Sequence, residues 1–116
     1  MFDHTFPIKL VSPNVQEHWT KKHKRNQFNS RLIKPVWRRC KPEIKLPCTL
    51  TFTRYCKRVL DYDNFVFSLK FISDEMCDLI KPGLARGRAD GTNDIRIEYR
   101  QVKAKLKDGQ LNIKII

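Results

Sequence analysis

A single α+β domain, with a small mixed β-sheet packed against helices, is the fold class that three features of this sequence predict. Leu46 to Cys56 alternates, with Thr49, Thr51 and Thr53 at every second position, which marks a strand with one wet face. Asn64 to Ile80 repeats apolar residues every three or four positions, the spacing of a helix. Two short alternating segments follow near the C-terminus. At 116 residues the chain can bury one sizeable core but not two, so residues 1–116 are expected to form one domain.

Taken in order, Phe6-Pro7-Ile8-Lys9-Leu10-Val11 alternates apolar and polar residues and is closed by Ser12-Pro13-Asn14, so a first strand and a turn are expected there. Val15 to Cys40 is basic and rich in aromatics. It reads as helix, interrupted near Asn26 to Ser30 and limited by Pro35. After the Thr-rich strand, Phe65, Leu69, Ile72, Met76 and Leu79 make one stripe of the next helix, taken as continuous over Asn64 to Ile80, and Asp63, Lys70 and Asp74 lie opposite. Lys81-Pro82-Gly83 ends that helix, and a Gly-rich basic loop runs to Gly91. Asp94 to Arg100 alternates as a strand, and Asp108-Gly109 is the expected turn of a hairpin into Leu111 to Ile115. The expected order is therefore β-α-β-α-β-β.

Charge narrows the function. The chain has 24 Lys and Arg against 12 Asp and Glu, a net charge of +12 and a pI near 9.9, which calls for a polyanionic partner, most simply nucleic acid. Residues 1–60 hold 14 basic and 3 acidic side chains, whereas residues 61–116 hold 10 and 9. An anion-attracting half thus meets a cation-attracting half, as a metal-dependent enzyme acting on phosphodiesters requires. No apolar run approaches the roughly 18 residues of a membrane span, and the first residues lack the basic and apolar regions of a secretory signal. A cytoplasmic protein without membrane partners is expected. Cys40, Cys48, Cys56 and Cys77 show no zinc spacing and are expected as reduced, packed thiols.

Asp61-Tyr62-Asp63-Asn64 is the candidate centre. Two carboxylates two residues apart, behind Arg54, Lys57 and Arg58 and ahead of an amphipathic helix, repel one another unless a cation lies between them. Mg²⁺ or Mn²⁺ takes oxygen ligands and keeps several waters, so two or three carboxylates and a substrate phosphate suffice. Asp90, on the loop before the next strand, is the natural third ligand, and Asp94 competes with it. Lys70 is placed to neutralise charge developing on phosphorus, although a structural pair with Asp74 at i,i+4 accounts for it equally simply. Helix capping is the corresponding plain reading of Asp61 and Asp63. Lys21, Lys22, Lys24 and Arg25, with Arg54, Lys57 and Arg58, are the candidate DNA-binding residues, acting on backbone phosphates. Trp19, Phe28 and Trp37 are expected in core or dimer packing, with stacking on unpaired bases as the alternative. His18 and His23 have no ligand partners at a useful spacing.

Together these motifs resemble the RusA family of Holliday junction resolvases, endonucleases of bacteria and phages, over nearly the full chain. The resemblance rests on the first strand before Ser12-Pro13-Asn14, the basic helix, the Asp61-Tyr62-Asp63-Asn64 block, Lys70 and Asp74 four apart, an acidic position before a strand, and the closing Asp108-Gly109-Gln110-Leu111-Asn112-Ile113. It implies a RusA-like fold, an acidic triad of Asp61, Asp63 and Asp90 holding Mg²⁺ or Mn²⁺, and Lys70 as catalytic lysine. It further implies a homodimer that resolves four-way DNA junctions by paired nicking, in recombination and repair. The chain departs from the family at Ala89-Asp90-Gly91, where Asp-Asp-Glu is common, and in a longer segment on both sides of Lys70. The rival readings are a non-catalytic nucleic-acid-binding module and a metal nuclease acting on flaps or single strands.

Overall fold

The computed structural model describes residues 1–11, 16–82, 94–105 and 109–116. It has the element order β1 (Phe2–Phe6), α1 (Trp19–Cys40), β2 (Cys48–Cys56), α2 (Tyr62–Ser68), α3 (Lys70–Ile80), β3 (Ile95–Lys103) and β4 (Gln110–Ile115). The four strands form one mixed sheet in the order β1-β4-β2-β3, so the α+β class with a small mixed sheet holds.

Four expectations differ in detail. The first strand is Phe2–Phe6, not Phe6–Val11, because Pro7 has no N–H to give to a ladder. Phe2 and Phe6 are the buried positions of its alternation, and Ile8 and Leu10, also buried, follow it outside the strand. α1 runs unbroken from Trp19 to Cys40 through Pro35, which faces outward. The helix expected over Asn64 to Ile80 is two helices that break at Leu69. There the Ser68 hydroxyl donates to the Phe65 carbonyl at 2.6 Å, and the Leu69 N–H reaches Val66 O at 3.2 Å, the tighter i to i−3 bond.

The largest difference is the closing hairpin. β3 and β4 do not pair. β4 inserts between β1 and β2, antiparallel to both, with Ile113 opposite His4 on one side and Phe52 on the other. β3 runs parallel to β2 on its free edge, from Cys48 opposite Ile95 to Cys56 opposite Lys103. A parallel neighbour needs a crossover, and α2 with α3 supply it. The expected Asp108-Gly109 turn lies partly outside the described residues, since Asp108 is not among them.

One face of the sheet carries Cys48, Leu50 and Phe52 of β2, Leu111, Ile113 and Ile115 of β4, and Ile95 of β3, all buried. Ile33 and Val36 of α1 and Ile72, Met76 and Cys77 of α3 close over them in a single core. Burying each such large side chain contributes about 1.5–3 kcal/mol. The opposite face keeps Thr49, Thr51, Thr53, Asn112 and Lys114 half-buried, as the alternation predicts. Cys48, Cys56 and Cys77 are buried free thiols, while Cys40 is exposed.

Candidate functional site

Asp61 is the N-cap residue of α2, with φ −53° and ψ 146°, and its carbonyl accepts the Phe65 N–H at 2.9 Å. Its carboxylate makes no capping hydrogen bond, so capping does not explain the side chain. Asp63 lies in the first turn of the same helix, where backbone N–H groups favour negative charge. Both side chains are exposed, and no hydrogen bond or ion pair among the described residues engages either one.

The backbone leading to this pair is held from below. The Gln101 carboxamide accepts the Leu60 N–H at 3.0 Å and donates to the Leu60 carbonyl at 2.9 Å. Arg54 in turn donates to Gln101 Oε1 at 3.0 Å and to the Arg58 carbonyl at 3.3 Å. Strands β2 and β3 thus fix the segment just before Asp61 through side chains. Sequence reasoning assigned Arg54 to DNA and did not single out Gln101. Gln101 follows Ile95, Ile97 and Tyr99 on the inward side of β3, a polar residue at the end of an apolar row, and that is the signal that could have found it.

Tyr99 is the second residue the sequence did not point to. Its ring stacks on Phe52 at 6.1 Å and meets Tyr62 and Phe65 edge-on at 6.2 Å each. Burial pushes its phenol above the usual tyrosine range, opposed by a hydrogen bond with Ser73 and by the nearby Lys70 charge. Tyr99 therefore joins Tyr62, between the two aspartates, to the start of α3. Lys70 opens that helix with its side chain exposed, and pairs with Asp74 at 3.1 Å across one turn.

The other acidic candidates divide. Asp94 is not part of the pair: it immediately precedes β3 and binds Lys81 at 2.6 Å. Gln101, which holds Leu60, lies seven residues further along the extended β3 chain, about 23 Å at roughly 3.3 Å per residue, so Asp94 and the Asp61–Asp63 pair sit at opposite ends of the sheet. Parallel pairing of β2 and β3 is the cause, and it removes Asp94 as the third ligand. Asp90 lies outside the described residues. Among the described residues no group of three His, Cys, Asp or Glu side chains could hold an ion together.

The basic residues also divide. Lys21, Lys22 and Lys24 are exposed on the first turns of α1, and Lys57 and Arg58 are exposed in the turn after β2. Arg25 and Arg54 are half-buried and already engaged, Arg25 in a two-pronged bond to Glu17 at 2.9 and 2.7 Å. That guanidinium holds the Glu17 carboxyl below its usual range. Trp37 packs against Phe2 at 5.3 Å, at the edge of the core, while Trp19 and Phe28 are exposed on α1. His18 caps α1 by accepting the Thr20 N–H at 3.2 Å.

No helix among the described residues is long and apolar enough to cross a membrane. Comparison of the chain with protein-family models, with curated proteins and with solved structures found no match.

Proposed function

We propose that this protein is a divalent-metal-dependent endodeoxyribonuclease that cuts branched DNA, in the manner of the RusA junction resolvases it resembles in sequence. The observation that carries the reading is the Asp61–Asp63 pair: two exposed carboxylates, unused by capping, on a backbone anchored by Gln101 and Arg54. Hard oxygen donors that are exposed suit Mg²⁺ or Mn²⁺.

Asp61, Asp63 and Asp90 are the proposed ligands. When bound, the ion polarises the phosphoryl oxygen and lowers the pKa of an attacking water. Lys70 brings a positive charge to the phosphate as negative charge develops there. Lys21, Lys22, Lys24, Lys57 and Arg58 meet the DNA backbone, with Arg25 and Arg54 adding positive charge behind them. Two copies of the chain in a cytoplasmic homodimer would set two such centres across a four-way junction, for paired nicking in recombination and repair.

A second reading, a nucleic-acid-binding module without catalysis, is favoured by the Lys70–Asp74 pair, which engages that lysine in an ordinary helix contact. One experiment separates them. Purified protein is incubated with a synthetic four-way junction and with linear duplex, in Mg²⁺, Mn²⁺ or EDTA, beside Asp63→Asn. Cutting of the junction alone, lost in EDTA and in the variant, is the expected result. Junction binding without cleavage in either metal supports the binding module, and equal cutting of both DNAs supports a broader metal nuclease.

A further inference from the structure

Beside the candidate centre, a cavity of about 460 Å³ opens between the chain after β1, the first half of α1 and the α2–α3 junction. Its volume lies in the range of small-ligand sites, about 300–1,000 Å³. Four cations line it, Lys9, Lys22, Arg25 and Lys70, against the two carboxylates of Glu17 and Asp74. The cavity is therefore net positive, and Glu17 fixes the Arg25 guanidinium from the side. Two carboxamides, Asn26 and Asn29, also face it. Asn29 is only 5% exposed and belongs to the cavity wall. A carboxamide in such a wall offers two N–H donors and a carbonyl acceptor, the complement of a base edge. Phe67, at the rim, is 62% exposed and offers a ring face.

Cations for a phosphate, a buried amide for a hydrogen-bonding edge and an exposed ring for stacking are the requirements of one nucleotide unit. We propose that this cavity receives a single unpaired nucleotide, its phosphate near Lys9 and Lys22 and its base edge on Asn29. Lys70 belongs both to this cavity and to the surroundings of Tyr99, so the cavity adjoins the Asp61–Asp63 end of the fold. The unit comes either from a DNA strand at a branch point or from a free nucleotide. The choice of the strand rests on the nuclease reading above.

The test uses 2-aminopurine fluorescence with the full chain in EDTA, where no cutting occurs. The probe is placed at the branch of a four-way junction, in linear duplex, and in the free deoxynucleoside 5′-monophosphate. Capture of the branch-point base is expected, with affinity lowered about fivefold by Asn29→Leu, the loss of one hydrogen bond. Lys9→Ala, at an exposed position, is expected to lower it similarly, and keeps the test open if Asn29→Leu fails to fold. Signals that neither cavity variant alters overturn the proposal even if the junction is cut in Mg²⁺. Capture that depends on Asn29 and Lys9, without any cutting, upholds the cavity and overturns the nuclease. Tighter binding of the free monophosphate than of the junction overturns the strand as its source.

Discussion

Gln101 on β3 holds Leu60 by both of its peptide groups, at 3.0 and 2.9 Å, and so sets the backbone one residue before Asp61. A side chain here does what a neighbouring strand does elsewhere, in a place where β2 has already ended at Cys56. Gln101→Leu removes both bonds while keeping the bulk. It is expected to cost about 1–3 kcal/mol in urea unfolding. It should also weaken Mg²⁺ or Mn²⁺ binding more than it weakens DNA binding in EDTA; equal losses in both would show that Gln101 acts on stability alone.

Arg54 and Lys57 are three residues apart and should behave differently. Lys57 is exposed, so Lys57→Ala is expected to weaken DNA binding without a change in melting temperature and to reduce the salt slope by about 1. Arg54 ties Gln101 to Arg58, so Arg54→Ala is expected to lower the melting temperature as well. Binding isotherms at several salt concentrations, with thermal melts of the same variants, separate the two.

Ser30 on α1 donates to the buried Glu75 carboxylate of α3 at 3.0 Å, and Lys34 stands 3.7 Å from the same oxygen. This contact joins the two helices that cover the sheet. Ser30→Ala is expected to destabilise the fold by about 1.5–3 kcal/mol, the scale of a hydrogen bond to a charged group. Chemical denaturation checks it, with Ser30→Thr, which keeps the hydroxyl, as the comparison.

Alkaline pH is expected to destabilise the protein through Tyr99 and Cys48. Burial raises both above their ordinary values of 10.0 and 9.0. Each group stays protonated in the folded chain after the unfolded chain has released its proton. The stability they contribute is complete below about pH 9 and falls as pH rises through the folded values. Thermal melts between about pH 8 and 11 should show this decline, and Cys48→Ala and Tyr99→Phe should each flatten it.

Leu69 is fully buried at the break between α2 and α3. Leu69→Ala is expected to cost about 2–5 kcal/mol, as a cavity in a packed core does. Equilibrium unfolding measures it, and a cost below about 1 kcal/mol would mean that the junction collapses into the space.

Much of the fold was legible in local pattern. The Thr alternation of β2, the apolar stripe through Phe65, Leu69, Ile72 and Met76, and the alternation of β3 all correspond to observed elements, because burial on one face imposes a period on the chain. The break at Leu69 was not legible: the stripe continues through it, and the change of ladder is marked by the Ser68 hydroxyl bond and the Leu69 N–H to Val66 bond. The Asp61–Asp63 pair was visible as charge pattern. Its support was not, since Gln101 lies 41 residues from Leu60 along the chain.

By itself the sequence determined the class of fold, the basic N-terminal half and the pair of carboxylates ahead of a helix, because each depends on neighbours in the chain. Tertiary structure decided the strand order, in which β4 displaces the expected hairpin and β3 lies parallel to β2. That order sends Asp94 to the far end of the sheet and brings Gln101 and Tyr99 to the segment around Asp61. Strand partners are chosen by burial of whole faces against α1 and α3, a property of the assembled sheet that no stretch of the chain carries alone.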